Sequence, residues 1–132
     1  MSYGATWFKS HLTPRMRRRL ADVFTHYGYG DPFGPLPFHT LTSTRTHELR
    51  HLPRFELDLT LRRLFRDITA QMDDACNTLR ALVDSDYGFP AADPRDTLEF
   101  NAFFKTCDLF RTIAEIKYAT LLLDMAAEVA AQ

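Results

Sequence analysis

The sequence predicts an all-α protein, a helical bundle built on a long antiparallel helix hairpin. Apolar residues recur every three or four positions over residues 59–84 and again over 95–130, a spacing that places them on one helical face. Only a short connection joins these two stretches, and such a connection usually makes neighbouring helices antiparallel. A third periodic stretch, 14–27, and one or two shorter N-terminal helices are expected to pack across the hairpin. The length predicts a single helical domain, 1–132.

The C-terminal stretch carries the strongest helix signal. Asp93 can accept hydrogen bonds from free backbone N–H groups, and Pro94 suits the first helical position, where its missing N–H costs nothing. About 36 residues at 1.5 Å each would give a helix of roughly 54 Å, which needs more cover than one partner helix supplies. An ordinary core helix and an interface between protein copies both remain open. The candidate interface residues are Phe103, Phe110, Tyr118, Leu122 and Met125.

The stretch 14–27 begins and ends with clear helix signals. Thr13 and Pro14 supply a cap and a first-turn proline, and Gly28 follows as the stop. Four arginines crowd its first two turns, where positive charge opposes the helix dipole. This cost suggests a binding role toward nucleic acid or an acidic partner, although a solvated basic face is the commoner explanation. The candidate residues for that role are Arg15, Arg17, Arg18, Arg19, Arg62, Arg63 and Arg66.

The charge distribution is strongly asymmetric along the chain. Residues 1–66 contain eleven Lys and Arg against five Asp and Glu, whereas residues 67–132 contain five against twelve. The first half therefore carries +6 and the second half −7, although the whole chain is near neutral. Three interpretations follow. The basic half could bind phosphates, the two halves of different copies could meet head to tail, or the halves could neutralise each other within one fold.

Residues 55–61 alternate apolar and polar side chains, a pattern typical of a strand. We nevertheless predict a helix there, because the alternation continues directly into helical spacing from Leu61 onward. Asp58 is the expected cap, which places the helix start near residue 59. The charge switch of the chain falls on this helix, whose early arginines precede Asp67, Asp73 and Asp74.

One short motif suggests catalysis. Residues 47–51 read His-Glu-Leu-Arg-His, which matches H-E-x-x-H and resembles the zinc-binding helix of the zincin metalloproteases. The resemblance implies that His47 and His51 would bind zinc and that Glu48 would act as general base. It covers five residues, and Arg50 and the early Pro53 depart from the family pattern. A short exposed helix without metal is the alternative.

Composition excludes several other classes. No apolar run is long enough for a membrane span, and the N-terminus does not resemble a secretory signal, so a cytoplasmic protein is expected. Cys76 and Cys107 fall on apolar helix faces, where we expect free thiols. The favoured function is a non-enzymatic helical interaction or assembly protein that contacts a protein partner or itself. The alternatives are a nucleic-acid-associated packaging or coat-like protein and, last, a small zinc hydrolase.

Overall fold

The computed structural model describes residues 5–33, 47–85 and 97–131, and these contain helices and no strand. The all-α prediction is therefore confirmed for this part of the chain. Residues 47–49 are also helical and precede the two long helices. The elements are α1 (Ala5–Ser10), α2 (Pro14–His26), α3 (Arg54–Ser85) and α4 (Leu98–Ala131).

Helices α3 and α4 form the expected antiparallel hairpin. Near its middle, Gln71 Nε2 donates a hydrogen bond to Asp108 Oδ2 at 3.4 Å. One turn further along, Lys105 Nζ contacts Asp74 Oδ1 at 2.9 Å. Residue numbers rise on one helix as they fall on the other, which is the signature of an antiparallel pair. Helices α1 and α2 pack across this hairpin, so the architecture is the predicted helical bundle.

Helix α3 begins five residues before the predicted start at 59. The carbonyl oxygen of Pro53 accepts the N–H of Leu57 at 2.9 Å, so helical hydrogen bonding starts immediately after this proline. Asp58 is therefore not the cap. It lies inside the helix, where its Oδ2 pairs with Arg62 Nε at 3.2 Å. The strand-like alternation over 55–61 belongs to the helix, as expected.

Helix α4 begins at Leu98, and its cap is Thr97 rather than the residue chosen from the sequence. The Thr97 Oγ1 accepts the backbone N–H of Phe100 at 3.1 Å, and the Thr97 carbonyl accepts the N–H of Asn101 at 3.1 Å. The proposed cap at Asp93 and Pro94 lies outside the described residues.

The predicted ends of α2 are confirmed. At the start, Thr13 Oγ1 accepts the N–H of Met16 at 3.1 Å, and Pro14 is the first helical residue. At the end, Gly28 adopts a φ of 86° and donates its N–H to the carbonyl of Thr25. The N–H of Tyr29 then bonds the Phe24 carbonyl at 2.8 Å, and the rings of Tyr29 and Phe24 are in edge contact. This is a Schellman motif with its usual apolar contact.

The core fills the space between α2 and the hairpin and extends under α1. Phe8 and Phe24 are fully buried there, and Phe8 meets Phe110 of α4 edge to face. Cys76 and Cys107 are free thiols, and burial raises the pKa of Cys107 to about 11. Across residues 5–33, 47–85 and 97–131, every helix is too short or too polar to cross a membrane.

The glycine at the end of α2 gives a stability prediction. Gly28→Ala should destabilise the protein by about 1–2 kcal/mol, because a left-handed backbone is strained for any residue with a Cβ. The added Cβ meets no atom within 4 Å, so the cost comes from the backbone alone. Urea unfolding measures it.

Gly30→Ala is the matched control for this experiment. Its added Cβ also meets no atom within 4 Å, and its φ is not in the left-handed region. We expect unchanged stability or a gain below about 1 kcal/mol, because alanine restricts the unfolded chain. Equal effects at the two glycines would contradict the assignment.

Candidate functional site

Two of the four α2 arginines contact the other helices of the bundle. Arg15 Nη2 donates to the Val83 carbonyl at 3.4 Å, and this carbonyl belongs to the last turn of α3, where helical partners run out. Arg19 Nη2 lies 3.3 Å from Glu99 Oε1 in the first turn of α4. The Glu99 carboxylate also lies at the favourable end of the α4 dipole. The two arginines therefore attach α2 to the hairpin end where α3 stops and α4 starts.

The other two arginines of this cluster line a cleft instead. Arg17 and Arg18 form one wall of a cavity of about 330 Å³, and Lys9 from α1 adds a third cation. Phe33 and Asp31, which follow α2, form the opposite side. The Nε of Arg17 is buried and has no hydrogen-bond partner among the described residues. The basic cluster thus divides into two fold-stabilising arginines and two arginines that face a cavity.

The α3 arginines do not join this cluster. Arg15 lies beside Val83, which is 17 residues after Arg66 and 21 after Arg62 on the same helix. At 1.5 Å per residue the separation is roughly 26–32 Å. Among the described residues, the α2 arginines and the α3 arginines therefore form two separate basic regions.

The helix that contains the start of the H-E-x-x-H motif ends within the motif. His47 and Glu48 are helical, but His51 follows the helix, and its N–H bonds the Glu48 carbonyl at 3.1 Å in the tighter i to i+3 pattern. The two imidazole rings approach each other, with centroids 4.9 Å apart. Both histidines are exposed. The described part of the chain contains no group of three side chains able to hold a metal ion.

The candidate interface residues of α4 divide between the core and the surface. Phe110 is buried, and Phe103 packs against Phe24, with ring centroids 4.9 Å apart. These two side chains therefore contribute to the intramolecular core. Tyr118 and Leu122 are half-buried beside a smaller cluster formed by Leu49, Leu57 and Ala119. Met125 is exposed.

Met125 is the middle member of an exposed apolar row near the end of α4. Leu121, Met125 and Val129 are spaced by four residues and have 52%, 52% and 71% of their surface exposed. We call these three residues the tail stripe. Asp124 and Glu128 are exposed beside it, each three residues after a stripe member. The sequence analysis named only Met125 from this row.

A second exposed apolar row begins α3, and the sequence analysis missed it. Phe55 and Leu59 are 73% and 49% exposed, and they share the outer face of α3 with three exposed arginines, on the side opposite Leu57 and Leu64. The apolar–polar alternation over 55–61 could have indicated this row. In a helix, this alternation places Leu57 on the opposite face from Phe55 and Leu59. We call this surface the basic stripe, and its members are Phe55, Leu59, Arg62, Arg63 and Arg66.

Comparisons of the chain with protein-family models, with curated proteins and with solved structures find no match. The functional argument therefore depends on the arrangement of these surfaces.

The ion pair between α2 and α4 provides a test of the division within the arginine cluster. Arg19→Met should lower the free energy of unfolding by about 2 kcal/mol or more, because it leaves the buried Glu99 carboxylate without its guanidinium. Thermal and urea unfolding report this loss.

Arg18→Met removes the same charge from an exposed position and is the matched control. Its effect should stay within about 0.5 kcal/mol. If both variants lost the same stability, Arg19 would have no special role in attaching α2.

Proposed function

We propose that this protein is a non-enzymatic helical assembly protein that binds a second copy of itself through the tail stripe and the basic stripe. The observation that carries the proposal is the tail stripe, a row of three exposed apolar side chains at helical spacing. Isolated exposed apolar residues are ordinary in soluble proteins, whereas a contiguous row on one helical face is typical of a contact surface.

The end of α4 extends past its partner helix. Extending the register of the pairs Gln71–Asp108 and Asp74–Lys105 sets Arg54, the first residue of α3, opposite Met125. The last six residues of α4 therefore reach about one and a half turns beyond the start of α3. Residues 127–131 are all exposed. A protruding, half-apolar helix end gains stability when a second molecule covers it.

Charge complementarity supports a second copy as the partner that covers these surfaces. The tail stripe is flanked by two carboxylates, Asp124 and Glu128, and the basic stripe combines two exposed apolar side chains with three arginines. Apolar residues can thus meet apolar residues while arginines meet carboxylates. Such pairing steers encounter and fixes register more than it adds affinity.

A two-fold dimer satisfies both surfaces at once. If the tail stripe of one copy contacts the basic stripe of the other, the symmetry repeats the same contact in the opposite sense. Each dimer then contains two equivalent helix-on-helix contacts, and no stripe is left open to extend the assembly into a filament. The arrangement uses part of the charge asymmetry of the chain, because the basic stripe lies in residues 1–66 and the two carboxylates lie in residues 67–132.

Assembly is measured by size-exclusion chromatography with light scattering at low salt, across a concentration series. The wild-type protein should form dimers, and Met125→Asp should weaken them at least tenfold, which is about 1.4 kcal/mol. The control is Phe104→Asp on the same helix. Phe104 is 56% exposed but lies outside both stripes, so its replacement should leave the dimer intact.

Charge reversal tests the pairing itself. Arg63→Glu with Arg66→Glu should weaken the dimer, as should Asp124→Arg with Glu128→Arg, because each change places like charges opposite each other. A mixture of the two double variants should form heterodimers, since each supplies the complement of the other. A wild-type protein that stays monomeric throughout, or a Phe104→Asp variant that dissociates like Met125→Asp, would contradict the proposal.

The nucleic-acid alternative gains less support from the geometry. Two of the four α2 arginines attach α2 to the hairpin, and the α3 arginines lie well away from Arg15, so the described arginines do not form one extended basic track for a strand of phosphates. The same chromatography discriminates this alternative when absorbance is recorded at two wavelengths. A large species that carries nucleic-acid absorbance, lost at high salt, would favour it.

A further inference from the structure

We propose that the cleft between α1, α2 and residues 31–33 binds the phosphate group of a small phosphorylated molecule. This inference does not depend on the proposed dimer, because the cleft shares no lining residue with the tail stripe or the basic stripe. It depends on the charges, the unpartnered guanidinium and the size of the cleft.

The charges of the cleft favour an anion. Lys9, Arg17 and Arg18 converge on it from two helices, and Asp31 is the single carboxylate in its lining. The cleft therefore carries a net charge of +2 in a space of about 330 Å³. Cations gathered in a concave site raise the local concentration of anions. The first two turns of α2 add the positive end of its dipole to the same region.

The Arg17 guanidinium has a hydrogen-bond donor without an acceptor among the described residues. Its Nε is buried and has no partner in the part of the chain that the structure describes. A buried donor of this kind costs stability until it meets an oxygen, and the cost is larger for a charged group. The planar guanidinium fork matches the oxygens of phosphate, to which it can donate two parallel hydrogen bonds. The Nε itself is covered, so an entering phosphate would contact other atoms of the Arg17 side chain, which lines the cleft and is only partly buried.

The remaining wall is rigid and selects for more than a bare anion. Phe33 packs against Phe8 and Phe110, and Lys9 Nζ lies 5.8 Å from the centre of the Phe33 ring. Asp31 Oδ1 accepts the backbone N–H of Phe33 at 2.9 Å, which holds this carboxylate beside the cleft. A carboxylate repels a second negative charge but accepts hydrogen bonds from hydroxyl groups. The arrangement therefore suits a phosphate monoester with neighbouring hydroxyls, such as a sugar phosphate.

The size of the cleft supports a small ligand. Small-molecule sites typically occupy about 300–1,000 Å³, and this cleft lies at the lower limit of that range. One phosphate with one sugar ring fits such a space. The two arginines that could have extended the positive surface, Arg15 and Arg19, bind Val83 and Glu99 instead.

Isothermal titration calorimetry at low salt tests the proposal, with ribose 5-phosphate and inorganic phosphate as probes. Ribose 5-phosphate should bind with one-to-one stoichiometry, and Arg18→Gln should weaken it at least tenfold. Arg50→Gln removes an equal charge from an exposed position outside the cleft and both stripes, and should leave the affinity unchanged. Equal losses in both variants would overturn the site, because they would reflect overall charge.

Arg17→Met distinguishes a binding site from a structural role. The substitution keeps an apolar stem but removes the unpartnered donor, so the Tm of the free protein should not fall, whereas the Tm increase caused by ribose 5-phosphate should disappear. A large fall in Tm without ligand would overturn the assignment of Arg17 to binding. Asp31→Asn should strengthen the binding of inorganic phosphate relative to that of ribose 5-phosphate. Binding of a single-stranded oligonucleotide without binding of either probe would overturn the small-ligand proposal.

Discussion

The constraint on which the structure depends is the need to cover α4 from more than one side. Its first two-thirds contains all of its buried residues, among them even Thr106 and Thr112. One partner helix can bury only one face, so α3 covers one side and α2 with α1 covers another. This cover ends near Ala119, the last buried residue of α4. The apolar pattern continues for three more turns, and that excess produces the tail stripe.

The arginines of α2 illustrate how one sequence cluster can serve two purposes. Their position opposes the helix dipole, which is an intrinsic cost. For Arg15 and Arg19 the cost is offset by contacts with the ends of α3 and α4. Arg17 and Arg18 gain no comparable partner in the described residues and enclose a cleft instead. Two arginines of the cluster thus contact residues that are distant in the sequence, and the other two line a cavity.

The helices were predictable because their signals are local. Periodicity located both long helices, and Thr13 and Gly28 marked the ends of α2 through side-chain and backbone chemistry that acts within five residues. The start of α3 was misplaced because its first turns present Phe55 and Leu59 to solvent and only Leu57 to the interior. Phe55 and Leu59 are apolar but exposed, and such a pair weakens the helical pattern of apolar residues. The same two exposed side chains form part of the basic stripe.

The roles of individual surface and contact residues were harder to predict than the helices, because the residues that meet in the fold are distant in the sequence. Arg15 and Arg19 meet residues 68 and 80 positions away, and no periodicity encodes such pairs. The converse holds for the H-E-x-x-H motif, where a local match lacks a third ligand in the described chain. Surface rows and cavities appear only once the helices are packed. A sequence can therefore identify side chains whose positions lower stability. The fold determines which of these side chains find partners within the protein and which stay accessible for binding.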